Sequence, residues 1–175
     1  RAESGGRGGQ GGEDIERGTR VLPCGVRDGA AVTAATQQAV DWHGGVDIFT
    51  ANAGISQRSA AVDTDMAVDR EIIDIDLTAQ IAATQALLPH LVARQSGTLL
   101  FISSIAGKVG VPMRTAYCAA KFGLIGYADA LRAELPQQGV PVHVVCPGPA
   151  AGGASWRDGL LVSRARRTLA HNYAT

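Results

Sequence analysis

The 175-residue sequence has few aromatic residues and no net charge, a composition that argues against a nucleic-acid-binding protein. Phe, Trp and Tyr make up 5% of the residues, and 16 Lys and Arg balance 16 Asp and Glu. The arginines near the C-terminus are not accompanied by a basic face with interleaved aromatic residues, so we expect no nucleic-acid binding. No apolar run is long enough to span a membrane, and no signal peptide is visible.

Cysteine is also scarce. Cys24, Cys118 and Cys146 lie in or beside apolar stretches and lack the spacing of a metal site. We therefore expect buried free thiols and a cytoplasmic location, unless a targeting segment missing from this chain directs the protein elsewhere. No metal is expected, because the histidines form no ligand pair on one helix face; they are His43, His90, His143 and His171.

Apolar residues are abundant instead, and they alternate between strand-like and helix-like segments. Thr19–Cys24 is a weak strand candidate, and three short apolar runs predict buried strands at Val46–Ala51, Gly97–Ile102 and Val140–Cys146. Helical patterns cover Asp28–His43, Met66–Arg94 and Arg114–Gln138. Strands that alternate with helices predict parallel βαβ units, so the sequence favours an α/β fold.

Polar or glycine-containing turns follow the C-terminal ends of the three predicted strands. Asn52-Ala53-Gly54 follows the first strand, Ser104 follows the second, and Pro147-Gly148 follows the third. Open α/β sheets bind their ligands at this edge. We therefore expect the three turns to converge on one site.

Tyr117 and Lys121 lie four residues apart on the helix that follows the middle strand, so they share one helix face. A nearby ammonium favours the phenolate form of a tyrosine, whose ordinary pKa is about 10. With the Ser104 hydroxyl holding an oxygen, the pair has the groups that carbonyl–alcohol redox chemistry needs. A Tyr and a Lys at this spacing also arise by chance, so the surrounding motifs decide.

Together these motifs resemble the short-chain dehydrogenase/reductase family. The matching residues stand in the family's order and spacing over roughly residues 21–149; they are Asn52-Ala53-Gly54, the run from Ile102 to Gly107, Tyr117-x-x-x-Lys121 and Cys146-Pro147-Gly148. The stretch from Gly107 to Tyr117 is most similar to the branch near the seven-family dehydrogenase/reductases and the 11β-hydroxysteroid dehydrogenases.

The resemblance implies hydride transfer between NADP or NAD and a small-molecule carbonyl compound or secondary alcohol. It implies that Ser104 orients the substrate and that Tyr117 is the general acid/base. Lys121 would bind the nicotinamide ribose and lower the tyrosine pKa, so that Tyr117 and Lys121 both count among the cofactor contacts. Asn52-Ala53-Gly54 would line the adenosine side of the cofactor, and Pro147-Gly148 would lie beside the nicotinamide ring.

The sequence departs from the family at Asp76, where an asparagine usually holds a water in the proton relay. A carboxylate there still accepts a hydrogen bond, but its charge raises the pKa of a nearby tyrosine and so opposes Lys121. The alternative is a solvated helix residue without a role. A second departure is Gly152, which replaces a usual threonine, so a contact to the nicotinamide carboxamide is expected to be lost.

The family's phosphate-binding half has no clear counterpart. Gly6, Gly8 and Gly11 can be forced into a phosphate-loop pattern, but no apolar strand precedes them, so the match carries no weight. Residues 1–18 are predicted to be a disordered Gly-rich tail. The predicted fold is an incomplete Rossmann-like, doubly wound parallel sheet that lacks its first two strands and first helices. It comprises a partial domain at 19–150 and a divergent segment at 151–175, and we expect weak cofactor binding or none.

Two further expectations concern the edges of the sheet. Without the missing strands, the strand at Val46 keeps an open apolar edge, and the segment at Val21 either pairs with it or packs irregularly. After Pro149 no convincing strand is visible. Trp156 and Leu160–Val162 predict either a short helix over the site or a loose tail.

The helices at 66–94 and 114–138 carry apolar residues on more than one face. Because the family pairs these helices across a two-fold axis, the resemblance implies a homodimer; simple burial of the helices is the alternative. Two functions remain open: an NAD(P)-dependent oxidoreductase, or a non-catalytic homologue that acts as a dimerising or structural module.

Overall fold

The computed structural model describes residues 13–14, 19–148 and 161–163. The strands are β1 (Glu13–Asp14), β2 (Thr19–Arg20), β3 (Ile48–Ala51), β4 (Thr98–Ile102), β5 (Val142–Val145) and β6 (Leu161–Ser163). The helices are α1 (Gly29–His43), α2 (Met66–Ile73), α3 (Ala79–Arg94) and α4 (Thr115–Glu134). A π-helical turn at Asp74–Thr78 joins α2 to α3.

The central sheet has the strand order β5-β4-β3-β6, in which β3, β4 and β5 are parallel. Inward-facing side chains alternate along the strands, and Phe49, Leu99 and Phe101 are fully buried. Helices α3 and α4 connect the parallel strands, and α1 packs against α3. The predicted α/β class is confirmed.

The outer edge of β3 is paired, which corrects two predictions. Strand β6 runs antiparallel to β3, with Val162 beside Phe49 and Leu161 beside Thr50. The expected open edge at Val46–Ala51 is therefore wrong, and so is the expectation that Leu161 and Val162 form a helix or a loose tail. A short antiparallel strand satisfies the backbone groups that an uncovered edge would expose. Trp156, Leu160 and Gly152 lie outside the described residues.

The N-terminal segment pairs locally rather than with the central sheet. Thr19–Arg20 pairs antiparallel with Glu13–Asp14. Of the strand predicted at Thr19–Cys24, only the first two residues are a strand in the structure. The remainder packs irregularly, as one of the two alternatives predicted, and Cys24 lies against the hydrophobic core. Within the predicted tail, Glu13–Asp14 form a strand; its other residues lie outside those described.

Local sequence explains where the first two helices begin. Asp28 precedes α1, and its carboxylate accepts hydrogen bonds from the N–H groups of Ala30 and Ala31, both at 3.0 Å. Asp65 precedes α2 and accepts from Ala67 at 2.7 Å. Such caps satisfy donors that have no partner within the helix.

The π-helical turn interrupts the long helix predicted at Met66–Arg94 and changes which side chains face inward. The N–H of Ala79, directly after the turn, donates to the Asp74 carbonyl, one residue further back than in an α-helix. Asp76, in the middle of the turn, is fully buried. The turn thus directs a carboxylate toward the carboxyl edge of the sheet.

The cysteines differ in part from the prediction. Cys24, Cys118 and Cys146 are free thiols, as expected, but each is partly rather than fully buried. Among the residues that the structure describes, no helix is long and apolar enough to cross a bilayer.

Candidate functional site

The carboxyl ends of β3, β4 and β5 bring the predicted turns to one edge. The N–H of Ile105, directly after Ser104, donates to the Pro147 carbonyl at 2.9 Å. The Ser103 N–H donates to the Val145 carbonyl at 2.8 Å. The turns after β4 and β5 are therefore hydrogen-bonded to each other. The turn Asn52-Ala53-Gly54 follows β3, on the other side of β4.

Hydrogen bonds of Lys121 hold helix α4 against the carboxyl edge of the sheet. The Ser103 hydroxyl donates to the Lys121 backbone carbonyl at 3.0 Å, and the Lys121 ammonium donates to the Ile102 carbonyl at 3.2 Å. Gly107 permits this approach, because a Cβ there would lie 2.7 Å from the same Lys121 carbonyl oxygen. The helix face that carries Tyr117 and Lys121 is thereby held against the end of β4.

Asp76 and Lys121 form a buried ion pair. Asp76 Oδ2 lies 3.4 Å from Lys121 Nζ, and the two side chains are 0% and 5% exposed. The other oxygen, Oδ1, accepts the Ile55 N–H at 2.7 Å. Burial raises the pKa of Asp76, and this effect prevails over the lowering by Lys121 and by the Ile55 hydrogen bond. The interpretation of Asp76 as a solvated residue is therefore wrong.

Tyr117 is half-buried between two cations. Lys121 Nζ is 5.6 Å and Arg114 Cζ is 5.8 Å from the centre of its ring. Burial is the largest cause of a raised Tyr117 pKa; Ser104 and Arg114 oppose it, whereas Asp76 and Cys118 add to it. Asp76 thus acts in the predicted direction. The expected net lowering of the Tyr117 pKa is therefore wrong, because burial of the phenol outweighs the groups that lower it.

Two residues beside the site were missed by the sequence analysis. Gln80 is 2% exposed, and its Nε2 donates to the Ala53 carbonyl at 2.6 Å. Arg114 donates to the Ser56 hydroxyl at 2.8 Å. The spacing of four residues places Gln80 on the same helix face as Asp76, and it identifies Gln80 only once Asp76 is known to point inward.

Gly54 lies against the ion pair, so its replacement by alanine should be costly. A Cβ at this position would lie 2.9 Å from Asp76 Oδ2 and 3.3 Å from Lys121 Nζ. We expect Gly54→Ala to lower the free energy of unfolding by about 1–3 kcal/mol, because the buried pair must move. Urea unfolding measures this change.

Gly126→Ala is the matched control for that experiment. A Cβ on Gly126 would meet nothing within 4 Å, and alanine is the better helix former. The control should be neutral or stabilising. A Gly54→Ala variant as stable as the Gly126→Ala variant would contradict the packing described.

Sequence comparison identifies relatives over most of the chain. A family model described as short chain dehydrogenase matches residues 10–157. The human dehydrogenase/reductase SDR family member 7 is 33% identical over 158 residues, covering 90% of this chain and 46% of the human protein. The rat family member 7B is 41% identical over 128 residues, covering 73% of this chain and 39% of the rat protein. The chain thus spans about half or less of these relatives.

Solved structures share the fold. A short-chain dehydrogenase from Streptomyces avermitilis superposes with a TM-score of 0.73 at 27% identity, covering 78% of this chain and 51% of that one. A structure of ElxO with NADP bound gives a TM-score of 0.69 at 25% identity, covering 71% of this chain and 51% of ElxO.

Proposed function

The chain belongs to the short-chain dehydrogenase/reductase family, and from that premise we propose that it is an NAD(P)-dependent oxidoreductase of a small-molecule carbonyl compound or secondary alcohol. One observation carries the proposal: Ser104, Tyr117 and Lys121 meet at the carboxyl edge of the parallel sheet. The Lys121 ammonium lies 5.6 Å from the centre of the Tyr117 ring, and hydrogen bonding by Ser104 lowers the pKa of the phenol.

In this proposal each side chain has a distinct task. Ser104 holds the substrate oxygen by a hydrogen bond, and Tyr117 moves the proton to or from that oxygen. Lys121 supplies positive charge beside the phenol. Asp76, which contacts Lys121 at 3.4 Å, fixes the position of the ammonium.

The donor groups fit the nicotinamide and ribose end of a dinucleotide. The Tyr117 hydroxyl and the Lys121 ammonium can donate hydrogen bonds to ribose hydroxyls. The turns at Asn52-Ala53-Gly54 and Pro147-Gly148 flank them at the ends of β3 and β5. When bound, the nicotinamide supplies the hydride that adds to the carbonyl carbon. Gly6, Gly8 and Gly11 lie outside the described residues, so the fit concerns this end of the cofactor. The likeness to ElxO with NADP bound favours NADP.

The raised pKa of Tyr117 sets opposite pH dependences for the two directions of the proposed reaction. A phenol that stays protonated at neutral pH can give its proton to the carbonyl oxygen as the alcohol forms. Alcohol oxidation needs the phenolate instead. We therefore expect the reduction rate to fall, and the oxidation rate to rise, as pH increases toward the Tyr117 pKa.

Cofactor titration tests the proposal. NADPH is added to the whole chain while the nicotinamide fluorescence and the unfolding temperature are followed, and NADH is titrated in parallel. We expect a weak but saturable change that Lys121→Met abolishes. No change with either cofactor at millimolar concentration would overturn the proposal and favour the alternative of a non-catalytic homologue.

We also propose that the chain forms a homodimer through residues 66–94 and 114–138. Exposed apolar side chains on these helices support this, with Phe122 46%, Met66 59% and Val68 39% exposed. Light scattering should give twice the 18.1 kDa mass of the chain, and Phe122→Ser should shift it toward the monomer. A monomeric wild-type chain would contradict the proposal.

A cytoplasmic location is proposed on the state of the cysteines alone. All three are free thiols, the form that a reducing compartment maintains. Thiol alkylation in intact cells should modify them without prior reduction, whereas a requirement for reduction would contradict the assignment.

A further inference from the structure

Asp76 and Gln80 lie about one helical turn apart and bind both sides of a single backbone turn. Asp76 Oδ1 accepts the Ile55 N–H at 2.7 Å, and Gln80 Nε2 donates to the Ala53 carbonyl at 2.6 Å. Both side chains are buried, at 0% and 2% exposure. Gly54 is therefore fixed between two hydrogen bonds from the same stretch of helix.

The turn at 53–55 also packs directly on the ion pair. A Cβ on Gly54 would lie 2.9 Å from Asp76 Oδ2 and 3.3 Å from Lys121 Nζ. Oδ2 is buried, and its partner among the described residues is the Lys121 ammonium at 3.4 Å. A displacement of the turn would therefore change the position of Asp76 relative to Lys121.

We propose that Gln80 is a positioning residue of the candidate active site: through the Ala53 carbonyl it holds the turn at 53–55 against Asp76, and so keeps Asp76 Oδ2 on Lys121. Its side-chain hydrogen bonds go to the backbone carbonyls of Ala53 and Ile75. Gln80 thus acts on Tyr117 through the turn and the ion pair. The effect on catalysis by Tyr117 rests on the proposed function. The structural coupling of Gln80 to the Asp76–Lys121 pair does not.

The groups that influence the Tyr117 phenol come from three elements. Asp76 faces it from the π-helical turn, and Ser104 faces it from the end of β4. Arg114 directly precedes helix α4, and the helix itself contributes Cys118. Lys121, also on α4, has its ammonium 5.6 Å from the ring centre. Gln80 is uncharged, so replacing it changes the phenol only by moving one of these groups.

Gln80→Met is the variant that tests this coupling. Methionine keeps the length of the side chain but cannot donate to Ala53, and the surrounding wall is largely apolar; it includes Cys24, Val26, Val32, Ala79 and Ala83. Once the turn is released, Asp76 moves, and its negative charge raises the pKa of the phenol less than before. We expect the Tyr117 pKa to fall by about 0.5 unit or more, since a nearby charge shifts a pKa by about one to three units.

Two readouts on the whole chain measure the effect without cofactor or turnover. Carbon-13 NMR of labelled tyrosine, with Tyr117→Phe for assignment, gives the phenol pKa. Amide hydrogen exchange at neutral pH gives the protection of Ile55, which should decrease in Gln80→Met. Both remain readable if the proposed enzymatic function fails.

Thr84→Val is the control for a merely structural effect. Thr84 is also fully buried, one turn further along α3, and its hydroxyl donates to the Gln80 backbone carbonyl at 2.7 Å rather than to the turn. It should lower stability and leave the Tyr117 pKa and the Ile55 exchange unchanged. An unaltered Tyr117 pKa in Gln80→Met, or an equal shift in Thr84→Val, would overturn the proposal.

Discussion

Tyr117→Phe is expected to slow carbonyl reduction by about 10²–10⁴-fold, the usual contribution of a general acid. Phenylalanine keeps the ring near Lys121 and Arg114 but removes the hydroxyl whose pKa Ser104 lowers. The fold should persist, because the hydroxyl is the only group removed. The loss of nicotinamide absorbance in the presence of a carbonyl panel measures the rate.

Tyr127→Phe is the matched control on the same helix. Its ring packs edge-on against Phe101, with centroids 5.9 Å apart, and Tyr127 is ten residues beyond Tyr117. Loss of the Tyr127 hydroxyl should change the rate by no more than about twofold, because the substitution alters no group at the site. A Tyr117→Phe chain that reduces carbonyls as fast as the Tyr127→Phe chain would refute the role of Tyr117.

Lys121→Met is expected to lower the free energy of unfolding by about 3–5 kcal/mol, because it leaves a buried carboxylate without its counterion. Asp76 is fully buried, and Lys121 lies 3.4 Å away. Asp76→Asn should cost less, since its amide oxygen still accepts the Ile55 N–H. Urea unfolding of each variant measures these costs.

The double variant Lys121→Met/Asp76→Asn isolates the interaction. Its cost should fall below the sum of the single costs by about 0.5–3 kcal/mol, the coupling typical of residues in contact. Glu71→Gln is the control, because Glu71 pairs with Arg27 at 3.7 Å on the surface and its loss should cost under about 1 kcal/mol. Strictly additive single costs would show that the buried pair does not couple.

Much of the fold was predictable because it depends on local patterns. The apolar runs that form β3, β4 and β5 are followed by Asn52, Ser104 and Pro147, and a parallel sheet brings the residues after its strands to one edge. The spacing of Tyr117 and Lys121 fixes their common face on any α-helix. The similarity to the seven-family branch likewise rested on local motifs, and family members 7 and 7B are among the relatives that match.

The remainder depends on contacts between distant segments. A π-helical turn at Asp74–Thr78 inserts one residue per turn, and nothing in the local apolar pattern indicates it. This turn buries Asp76, which forms the ion pair with Lys121. The pairing of β6 with β3 joins residues more than a hundred positions apart, and the three-residue strand is too short for its periodicity to be recognised.

Isotope transfer tests the central claim, that this chain moves a hydride while Tyr117 moves the proton. NADPH deuterated at C4 of the nicotinamide, in each of its two stereoisomers, is incubated with the chain and a carbonyl substrate, and the alcohol is analysed by mass spectrometry. One stereoisomer should place deuterium on the carbinol carbon, and Tyr117→Phe should abolish the labelled product. Alcohol without deuterium from either stereoisomer, or unchanged labelling in Tyr117→Phe, would contradict the account.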